Sequence, residues 1–263
     1  MKKLLCLLLA LSLCFGFAAC GEKEAVEESV AEKLVIGYTI YEPMNYMEDG
    51  KLTGFDTEFA EAVCEKLGVE PEFVEINWDT KFVTLDSNKI DCIWNGMTIS
   101  DEVKANCDVS KAYVKNAQVV VMKEDVIADY ADVESLKGLK FAAEAGSAGE
   151  TYLKDFDGAN YKGCPKQTDC LTEVNAMTAD FAVLDAQLAK SYCGKGDYAD
   201  LMIVEDLSSD VEYYAIGFKK GSELTAKVNE QLVKLAKDGT IKKIAEKYDV
   251  LNTTILDYAD QVK

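Results

Sequence analysis

The 263-residue sequence contains no histidine and no arginine, so all of its 28 basic residues are lysines. Without an imidazole, the chain cannot build a Ser-His-Asp or Cys-His catalytic site or a histidine metal ligand. Without arginine, no guanidinium can bind a carboxylate or phosphate through two parallel hydrogen bonds. Only 3 residues are proline and 49% are hydrophobic, which is typical of a folded chain. The net charge of −19 argues against nucleic acid as a partner.

The first twenty residues have the pattern of a secretory signal. Met1-Lys2-Lys3 is a short positive start, and the apolar run from Leu4 to Phe17 is shorter than the ~20 residues that a membrane-spanning helix needs. The run ends in Ala18-Ala19-Cys20, and small residues directly before a cysteine resemble the lipobox of bacterial lipoproteins. We therefore expect a lipoprotein signal peptide over residues 1–19 and a lipid on Cys20. An ordinary secretory signal with Cys20 as a bystander is the alternative.

Residues 20–33 are rich in glutamate and poor in apolar side chains. This composition predicts a solvated acidic tether between the lipid and the folded part. The protein would then be held on the extracytoplasmic face of the bacterial cell membrane.

Beyond Cys20, the chain has an even number of cysteines, which permits disulfides outside the cytoplasm. We expect Cys64 and Cys92 to be packed thiols, because both lie in apolar surroundings. Whether Cys164 pairs with Cys170 is left open. The other two cysteines beyond Cys20 are Cys107 and Cys193. No Cys-x-x-Cys pair occurs, so the sequence gives no support for a zinc site, and we expect no metal or other cofactor.

After the tether, short apolar strands alternate with helical patterns. Asp56 is predicted to be the N-cap of a helix that ends at Gly68, and Ser222 is predicted to cap the clearest helix, near the C-terminus. The alternation predicts an α/β protein with largely parallel sheets. Strands are predicted at residues 33–38, 72–76, 90–94, 118–122, 140–143, 181–184, 202–204 and 213–218.

Several local patterns then occur in an order and spacing that resemble one family. They are Tyr41-Glu42-Pro43-Met44-Asn45-Tyr46, Gly54-Phe55-Asp56, Trp78-Asp79, Ile90-Asp91-Cys92-Ile93-Trp94-Asn95-Gly96-Met97-Thr98, Tyr214-Ala215-Ile216-Gly217-Phe218 and Asp238-Gly239-Thr240. From Leu34 to about Val250, the chain resembles the family 3 solute-binding proteins, which are the extracytoplasmic receptors of polar amino acid ABC importers.

The resemblance implies a two-lobed α/β fold of the periplasmic-binding-protein-like II type. Lobe 1 would comprise residues 34–112 and 215–263, and lobe 2 residues 118–210. Two hinge crossings, near Tyr113–Ala117 and Val211–Tyr214, would let the lobes close over a small ligand. The implied partners are a polar amino acid or related amine-bearing solute and a membrane permease, and we expect a monomer.

The resemblance also implies ligand-binding residues in lobe 1. Tyr41 and Trp78 would form an aromatic wall, with Tyr38 at a position where many relatives keep a polar group. For Tyr38 and Tyr41, packing at a strand end is the alternative. Gly96 and Thr98 would offer a carbonyl and a hydroxyl to the main-chain groups of the ligand. Whether Trp94 belongs to the core or to the cleft wall stays open.

In lobe 2, the segment 144–150 would aim backbone N–H groups and the Ser147 hydroxyl at a ligand carboxylate, with Ala148 beside it. Asp185 follows a buried strand, and the resemblance implies that it accepts hydrogen bonds from the α-ammonium group of the ligand. A helix N-cap is its alternative role, and both can hold together. Gln167 and Thr168 are weaker candidates for the side-chain pocket.

The sequence departs from the family at one place. The family usually has an arginine five residues beyond Thr98, which binds the ligand's α-carboxylate, and here that residue is Val103. Lys104 is adjacent, but its side chain would point ~100° away on a helix. The carboxylate would then depend on backbone amides, hydroxyls and one lysine, or be absent from the ligand.

We therefore predict a receptor without catalytic residues that captures an amine-bearing solute. An enzyme on the same two-lobed fold, like the dehydratases or murein lyases, remains an alternative because fold alone does not exclude it. A stand-alone ligand sensor is a third possibility.

Overall fold

The structure is a computed structural model that describes residues 33–130, 132–154 and 160–258. The predicted signal peptide, the predicted lipidation residue Cys20 and the tether up to residue 32 lie outside the described residues. Among the helices of the described part, none has the length and apolar character needed to span a bilayer.

The described residues form strands and helices that overlap every span predicted from the sequence. The strands are β1 (Lys33–Tyr38), β2 (Tyr46–Glu48), β3 (Lys51–Thr53), β4 (Glu70–Glu75), β5 (Cys92–Thr98), β6 (Asp108–Val109), β7 (Val114–Asn116), β8 (Gln118–Lys123), β9 (Lys140–Glu144), β10 (Asn160–Cys164), β11 (Phe181–Asp185), β12 (Leu201–Val204) and β13 (Glu212–Phe218). The α-helices are α1 (Phe55–Leu67), α2 (Lys81–Asp86), α3 (Asp101–Asn106), α4 (Ala148–Lys154), α5 (Gln167–Asn175), α6 (Ala186–Tyr192), α7 (Leu224–Lys237) and α8 (Thr240–Lys247).

The strands build two main sheets, each of which defines a lobe. In lobe 1 the order is β4-β1-β5-β13-β6, with β7 also paired to β13. In lobe 2 the order is β10-β9-β11-β8-β12, and β2 and β3 form a separate hairpin. The chain passes from the first sheet to the second between β7 and β8, and it returns between β12 and β13. The α/β class with two lobes is therefore confirmed.

Both main sheets are mixed, which corrects the expectation of largely parallel sheets. β1 pairs in parallel with β4 and β5, and β9 pairs in parallel with β10 and β11. β13 and β8 instead run antiparallel to their partners. These two strands enter their sheet directly from the other sheet, without the helical crossover that makes neighbouring strands parallel.

The core of lobe 1 is aromatic and lies beneath α1. Phe55 and Phe59 of α1 pack against Tyr113, and the Trp94 ring meets the Phe59 ring edge-on with 5.4 Å between centroids. Trp94 is 1% exposed, so it belongs to the core and not to the cleft wall.

The start of α1 also differs from the sequence-based prediction. Gly54, not Asp56, occupies the N-cap position, and Asp56 is a buried residue of the first turn. Its carboxylate instead accepts hydrogen bonds from distant groups, which are described below.

The cysteines of the described part are free thiols, and Cys64 and Cys92 are packed in the core as predicted. The Cys164 thiol donates to the Lys162 carbonyl oxygen at 3.9 Å, and the Cys170 thiol donates to the Lys166 carbonyl oxygen at 3.5 Å. Cys107 is also buried, and Cys193 is partly exposed.

Candidate ligand-binding site

A cavity of about 380 Å³ lies between the two lobes. Its lining includes Thr98 at the end of β5, Glu144 at the end of β9 and Asp185 at the end of β11. Open α/β sheets leave a crevice beyond the carboxyl ends of their strands, and small ligands bind there. The topology therefore brings polar side chains from both sheets to one place that suits a small molecule.

Asp185 is held at the cavity by side-chain amides. The residue is 7% exposed. Its Oδ1 atom accepts hydrogen bonds from Asn116 Nδ2 and Gln118 Nε2, both at 2.7 Å, and its Oδ2 atom accepts one from Gln167 Nε2. Asp185 also stands at the N-cap position of α6 but makes no side-chain capping bond. Burial, followed by repulsion from Glu212, raises the pKa of Asp185 above its ordinary value.

Glu212 is the second carboxylate of this network, at the start of β13. Its Oε1 atom accepts a hydrogen bond from Thr98 Oγ1 at 2.8 Å. The same oxygen accepts from Asn116 Nδ2 and Gln118 Nε2, both at 2.6 Å. Each of these two amides therefore donates both of its N–H groups to carboxylates. The arrangement gathers negative charge at one side of the cavity.

Glu144 adds a third carboxylate, and it is 4% exposed. Burial, followed by repulsion from Asp185, raises the pKa of Glu144 to about 8, although the nearby Lys81 ammonium acts in the opposite direction. The cavity therefore carries a carboxyl group that a cation would help to ionise.

Lys81 is the one cationic side chain among the described residues that line the cavity. It is 4% exposed, and its Nζ atom donates to the Gly146 carbonyl oxygen at 2.7 Å and to the Trp78 carbonyl oxygen at 3.3 Å. The ammonium group also lies 4.9 Å from the ring centroid of Trp78 and 4.7 Å from that of Phe82. Burial lowers the pKa of Lys81. Because Trp78 and Gly146 belong to different lobes, this side chain links the two walls.

Gly96 forms part of the cavity wall and is packed tightly from behind. Its φ angle is +55°, and a Cβ atom there would lie 2.7 Å from the Tyr41 ring and 2.9 Å from the Tyr214 ring. The Gly96 N–H donates to Asp56 Oδ2 at 2.8 Å, and Tyr113 Oη donates to the same oxygen at 2.9 Å. Burial raises the pKa of Asp56 to about 7 despite these two hydrogen bonds.

The structure brings six of the eight residues predicted to bind ligand to the cavity: Trp78, Gly96, Thr98, Ser147, Ala148 and Asp185. Tyr38 and Tyr41 lie elsewhere. The Tyr38 ring packs edge-on against Phe73, with centroids 6.2 Å apart. Tyr41 is buried behind Gly96, where its hydroxyl is hydrogen-bonded to that of Tyr214 at 2.6 Å. For both tyrosines, the packing alternative describes their position.

The segment 144–150 uses much of its backbone N–H capacity internally. The Gly146 N–H donates to Glu150 Oε2 at 2.6 Å, and the Ser147 N–H donates to the Glu144 carbonyl oxygen at 3.1 Å. The Glu150 N–H donates to Ser147 Oγ at 3.1 Å. These three amides, which were predicted to face a ligand carboxylate, therefore already have acceptors.

Val103, which stands at the family's arginine position, also lines the cavity. Its side chain packs with Trp78 and Met97 in an apolar cluster. Lys104 is exposed and does not line the cavity, so it does not replace the missing arginine there.

Comparison with known families agrees with this architecture. The model of the bacterial extracellular solute-binding proteins, family 3, matches residues 34–250. The chain belongs to this family. The resemblance inferred from the motifs is therefore confirmed over nearly the span that they indicated.

Curated relatives cover between 79% and 94% of the chain. The arginine-binding extracellular protein ArtP of Bacillus subtilis is 29% identical over 252 residues, which is 94% of this chain and 98% of ArtP. The probable amino-acid-binding protein YxeM of the same organism is 32% identical over 260 residues, covering 94% and 95%. An L-cystine-binding protein of Escherichia coli, TcyJ, is 28% identical over 211 residues, covering 79% of each chain.

Solved family 3 structures share the fold. An ancestral arginine-binding protein with bound arginine has a TM-score of 0.77 at 33% identity, covering 82% of this chain and 98% of its own. AbpA of Streptococcus pneumoniae with bound L-arginine has a TM-score of 0.76 at 29% identity, covering 82% and 94%. Both relatives are binding proteins. A third structure, AncCDT-1, is an ancestral amino acid-binding protein and a precursor of cyclohexadienyl dehydratase, with a TM-score of 0.75 at 30% identity, covering 82% and 95%.

Among the described residues, the polar side chains of the cavity lining that sequence reasoning did not assign to the ligand include Lys81, Asp101, Glu102, Gln118, Glu144 and Glu212. Glu144 and Gln118 stand at the end and the start of predicted strands, so their positions carried a usable signal. Lys81 and Glu212 gave none, because each reaches its partners only through contacts between segments that are far apart in the sequence.

Proposed function

We propose that this family 3 protein captures an amino acid with a cationic side chain, such as arginine or lysine, and delivers it to an ABC importer. The observation that carries the proposal is the charge of the cavity. Among the described lining residues there are five acidic side chains and one ammonium, that of Lys81; the acids are Asp101, Glu102, Glu144, Asp185 and Glu212. A net negative lining attracts cations and repels anionic solutes such as glutamate.

In this proposal, the α-ammonium group of the ligand binds between Asp185 and Glu212. Asp185 is buried and Glu212 partly buried, and both already accept hydrogen bonds from amides. A bound ammonium would offset the repulsion between them, since an opposite charge favours the ionised form of Asp185. The Gly96 carbonyl and the Thr98 hydroxyl are the nearby lobe 1 groups that we assign to the same end of the ligand.

The side-chain cation of the ligand would lie near Glu144, whose carboxyl group it would help to ionise. The Trp78 indole would pack along the apolar part of the ligand, because the Lys81 ammonium already lies 4.9 Å from its ring centroid. Ser147 and Ala148 would close the pocket from lobe 2. Tyr38 and Tyr41 have no part in this assignment, because neither lines the cavity.

Two polar contacts join the lobes around the cavity and support a closed, ligand-holding arrangement. Lys81 Nζ of lobe 1 donates to the Gly146 carbonyl of lobe 2 at 2.7 Å, and Lys166 of lobe 2 pairs with Glu75 of lobe 1 at 2.7 Å. Hinge closure around a small ligand would make these contacts, and opening would break them.

The membrane part of the proposal rests on the sequence. The apolar run that ends in Ala18-Ala19-Cys20 supports a lipid on Cys20, and the acidic segment 20–33 supports a tether that lets the folded part meet a permease. A single lipid anchor and an acidic chain would keep the protein at the membrane surface without attraction to anionic headgroups.

Isothermal titration of the mature protein with L-arginine, L-lysine, L-glutamine, L-cystine and L-glutamate tests the ligand class. We expect binding of the basic amino acids at a 1:1 ratio without turnover, and much weaker binding of glutamate. Glu144→Gln should reduce the preference for basic ligands, while Glu124→Gln, which removes an exposed acid outside the cavity, should leave it unchanged. Binding of glutamate as tight as that of arginine would contradict the proposal.

A further inference from the structure

A free amino acid brings a carboxylate into this cavity as well as its cationic groups, and the cavity has few groups that can bind an anion. Its lining carries five acidic side chains, and Val103 presents only an apolar surface. Placing a carboxylate there without a cation would be costly, because a buried charge needs an opposite charge or hydrogen-bond donors. One cationic side chain is available among the described lining residues.

We propose that Lys81 binds the α-carboxylate of the ligand and so makes the site selective for amino acids over amines without a carboxyl group. This inference rests on the proposed function and names the residue that recognises one part of the substrate. It assigns to the first residue of α2 a role that no other described residue of the cavity lining can take by charge.

The surroundings of Lys81 fit an anion-binding role. Its two hydrogen-bond acceptors, the carbonyl oxygens of Trp78 and Gly146, are neutral, so they orient the ammonium without neutralising it. An ammonium group has three donors, and these contacts use two. Within the described residues, Lys81 forms no ion pair at 4 Å or less, although it is 4% exposed. A buried cation of this kind gains most from a partner that arrives with the ligand.

The position of Lys81 also suits the proposed ligand. Its Nζ atom is 2.7 Å from the Gly146 carbonyl, beside the cavity-lining Ser147, and its charge lowers the pKa of Glu144. The amides of Gly146 and Ser147 are committed to other acceptors, so they do not replace the ammonium as donors. Lys81 and the Asp185–Glu212 pair therefore provide opposite charges in one cavity, as an amino acid's carboxylate and α-ammonium require.

The test compares each amino acid with its decarboxylated counterpart, in wild type and in Lys81→Met. The probes are L-arginine with agmatine and L-lysine with cadaverine, titrated by calorimetry. We expect wild type to prefer each amino acid over its amine. We expect Lys81→Met to weaken amino acid binding by about 30-fold or more, as for loss of a buried charge partner. Amine binding should stay within a few-fold or tighten, because the variant removes a repelling charge.

Lys166→Met is the matched control, because it also removes a lysine that contacts the opposite lobe but lies outside the cavity. It should leave the ratio of amino acid to amine affinity unchanged. Adding Val103→Arg to Lys81→Met should restore part of the preference, since it returns a cation to the same cavity.

The possible results distinguish a wrong role for Lys81 from a wrong proposed function. Equal weakening of amino acid and amine by Lys81→Met would show that the lysine only links the lobes, and would overturn the proposal. A wild type that binds agmatine as tightly as arginine would overturn it as well. If wild type bound none of the four probes, the proposed function itself would be contradicted, and the subsite with it.

Discussion

Asp185 and Glu212 share the two N–H groups of the Gln118 side-chain amide, which donates to Asp185 Oδ1 at 2.7 Å and to Glu212 Oε1 at 2.6 Å. One carboxylate belongs to lobe 2, and the other stands where the chain returns to lobe 1. Asn116 bridges the same two oxygens at 2.7 and 2.6 Å. The hinge region therefore carries two acids that repel each other and are held together by amides, and a ligand ammonium is the natural partner for both.

The first prediction concerns Asp185. We expect Asp185→Ala to weaken binding of every amine-bearing ligand by ~2–5 kcal/mol, because it removes the buried partner of the α-ammonium. Since the side chain makes no capping bond to α6, that helix should remain in place, while the amides of Asn116, Gln118 and Gln167 lose an acceptor. Calorimetry measures the affinity, and circular dichroism checks the fold. Unchanged affinity in a folded variant would leave Asp185 with no ligand-binding role.

The second prediction concerns pH. Burial raises the pKa of Glu144 to about 8, so the unliganded protein holds a proton there at neutral pH. A cationic ligand side chain favours the ionised carboxylate, and binding therefore releases a proton. The affinity for arginine should rise with pH up to about 8 and then level off, by at most about tenfold per pH unit for one proton.

Glu144→Gln removes this titration and should flatten the pH profile. Asp185 and Lys81 also face Glu144 and remain in the variant, so any slope that persists belongs to them. Calorimetry in two buffers with different ionisation enthalpies counts the released protons directly. Parallel pH profiles for wild type and variant would contradict a role for Glu144.

How far the sequence could predict this molecule depended on whether the signal was local. Helix α1, with its stripe of Phe59 and Val63, and the strand that ends at Asp185 were predicted because their apolar periodicity is contained within each segment. The position of Asp185 at the cavity was implied by the family resemblance, and it agrees with the general rule that ligands bind beyond the carboxyl ends of strands.

The misplaced residues are those decided by distant contacts. Tyr41 lies behind Gly96 because it meets Tyr214, which is 173 residues away in the chain. Asp56 looked like a helix cap, but it binds the Gly96 amide and the Tyr113 hydroxyl instead. Lys81 begins a helix of only six residues, too short for a periodic pattern, and its acceptor Gly146 belongs to the other lobe.

The third prediction concerns membrane attachment. We expect Cys20→Ala to release the protein from the membrane fraction without changing ligand affinity, because the cavity lies in the described part of the chain, well separated in sequence from residue 20. Cell fractionation and calorimetry measure the two effects, and Cys193→Ala serves as a control for loss of a cysteine that is not fully buried. A Cys20→Ala protein that stays in the membrane fraction would contradict the lipid anchor.

The fourth prediction uses two glycines to separate backbone strain from steric overlap. Gly138 has φ of +80°, and a Cβ atom added there would have nothing within 4 Å, so Gly138→Ala should cost only the ~1–2 kcal/mol of the left-handed conformation. Gly96 has φ of +55°, and its Cβ would lie 2.7 Å from the Tyr41 ring and 2.9 Å from the Tyr214 ring. Both rings are buried and joined through their hydroxyls at 2.6 Å, so neither can move without breaking that contact.

Gly96→Ala should therefore reduce the free energy of unfolding by clearly more than Gly138→Ala, through the overpacking that costs a further ~1–3 kcal/mol. Because Gly96 also lines the cavity, the same substitution should weaken arginine binding, whereas Gly138→Ala should not. Urea unfolding measures the stability of both variants, and calorimetry measures their affinity for arginine. Equal losses in the free energy of unfolding together with unchanged arginine binding would contradict the prediction, and would show that the Tyr41 and Tyr214 rings can move aside.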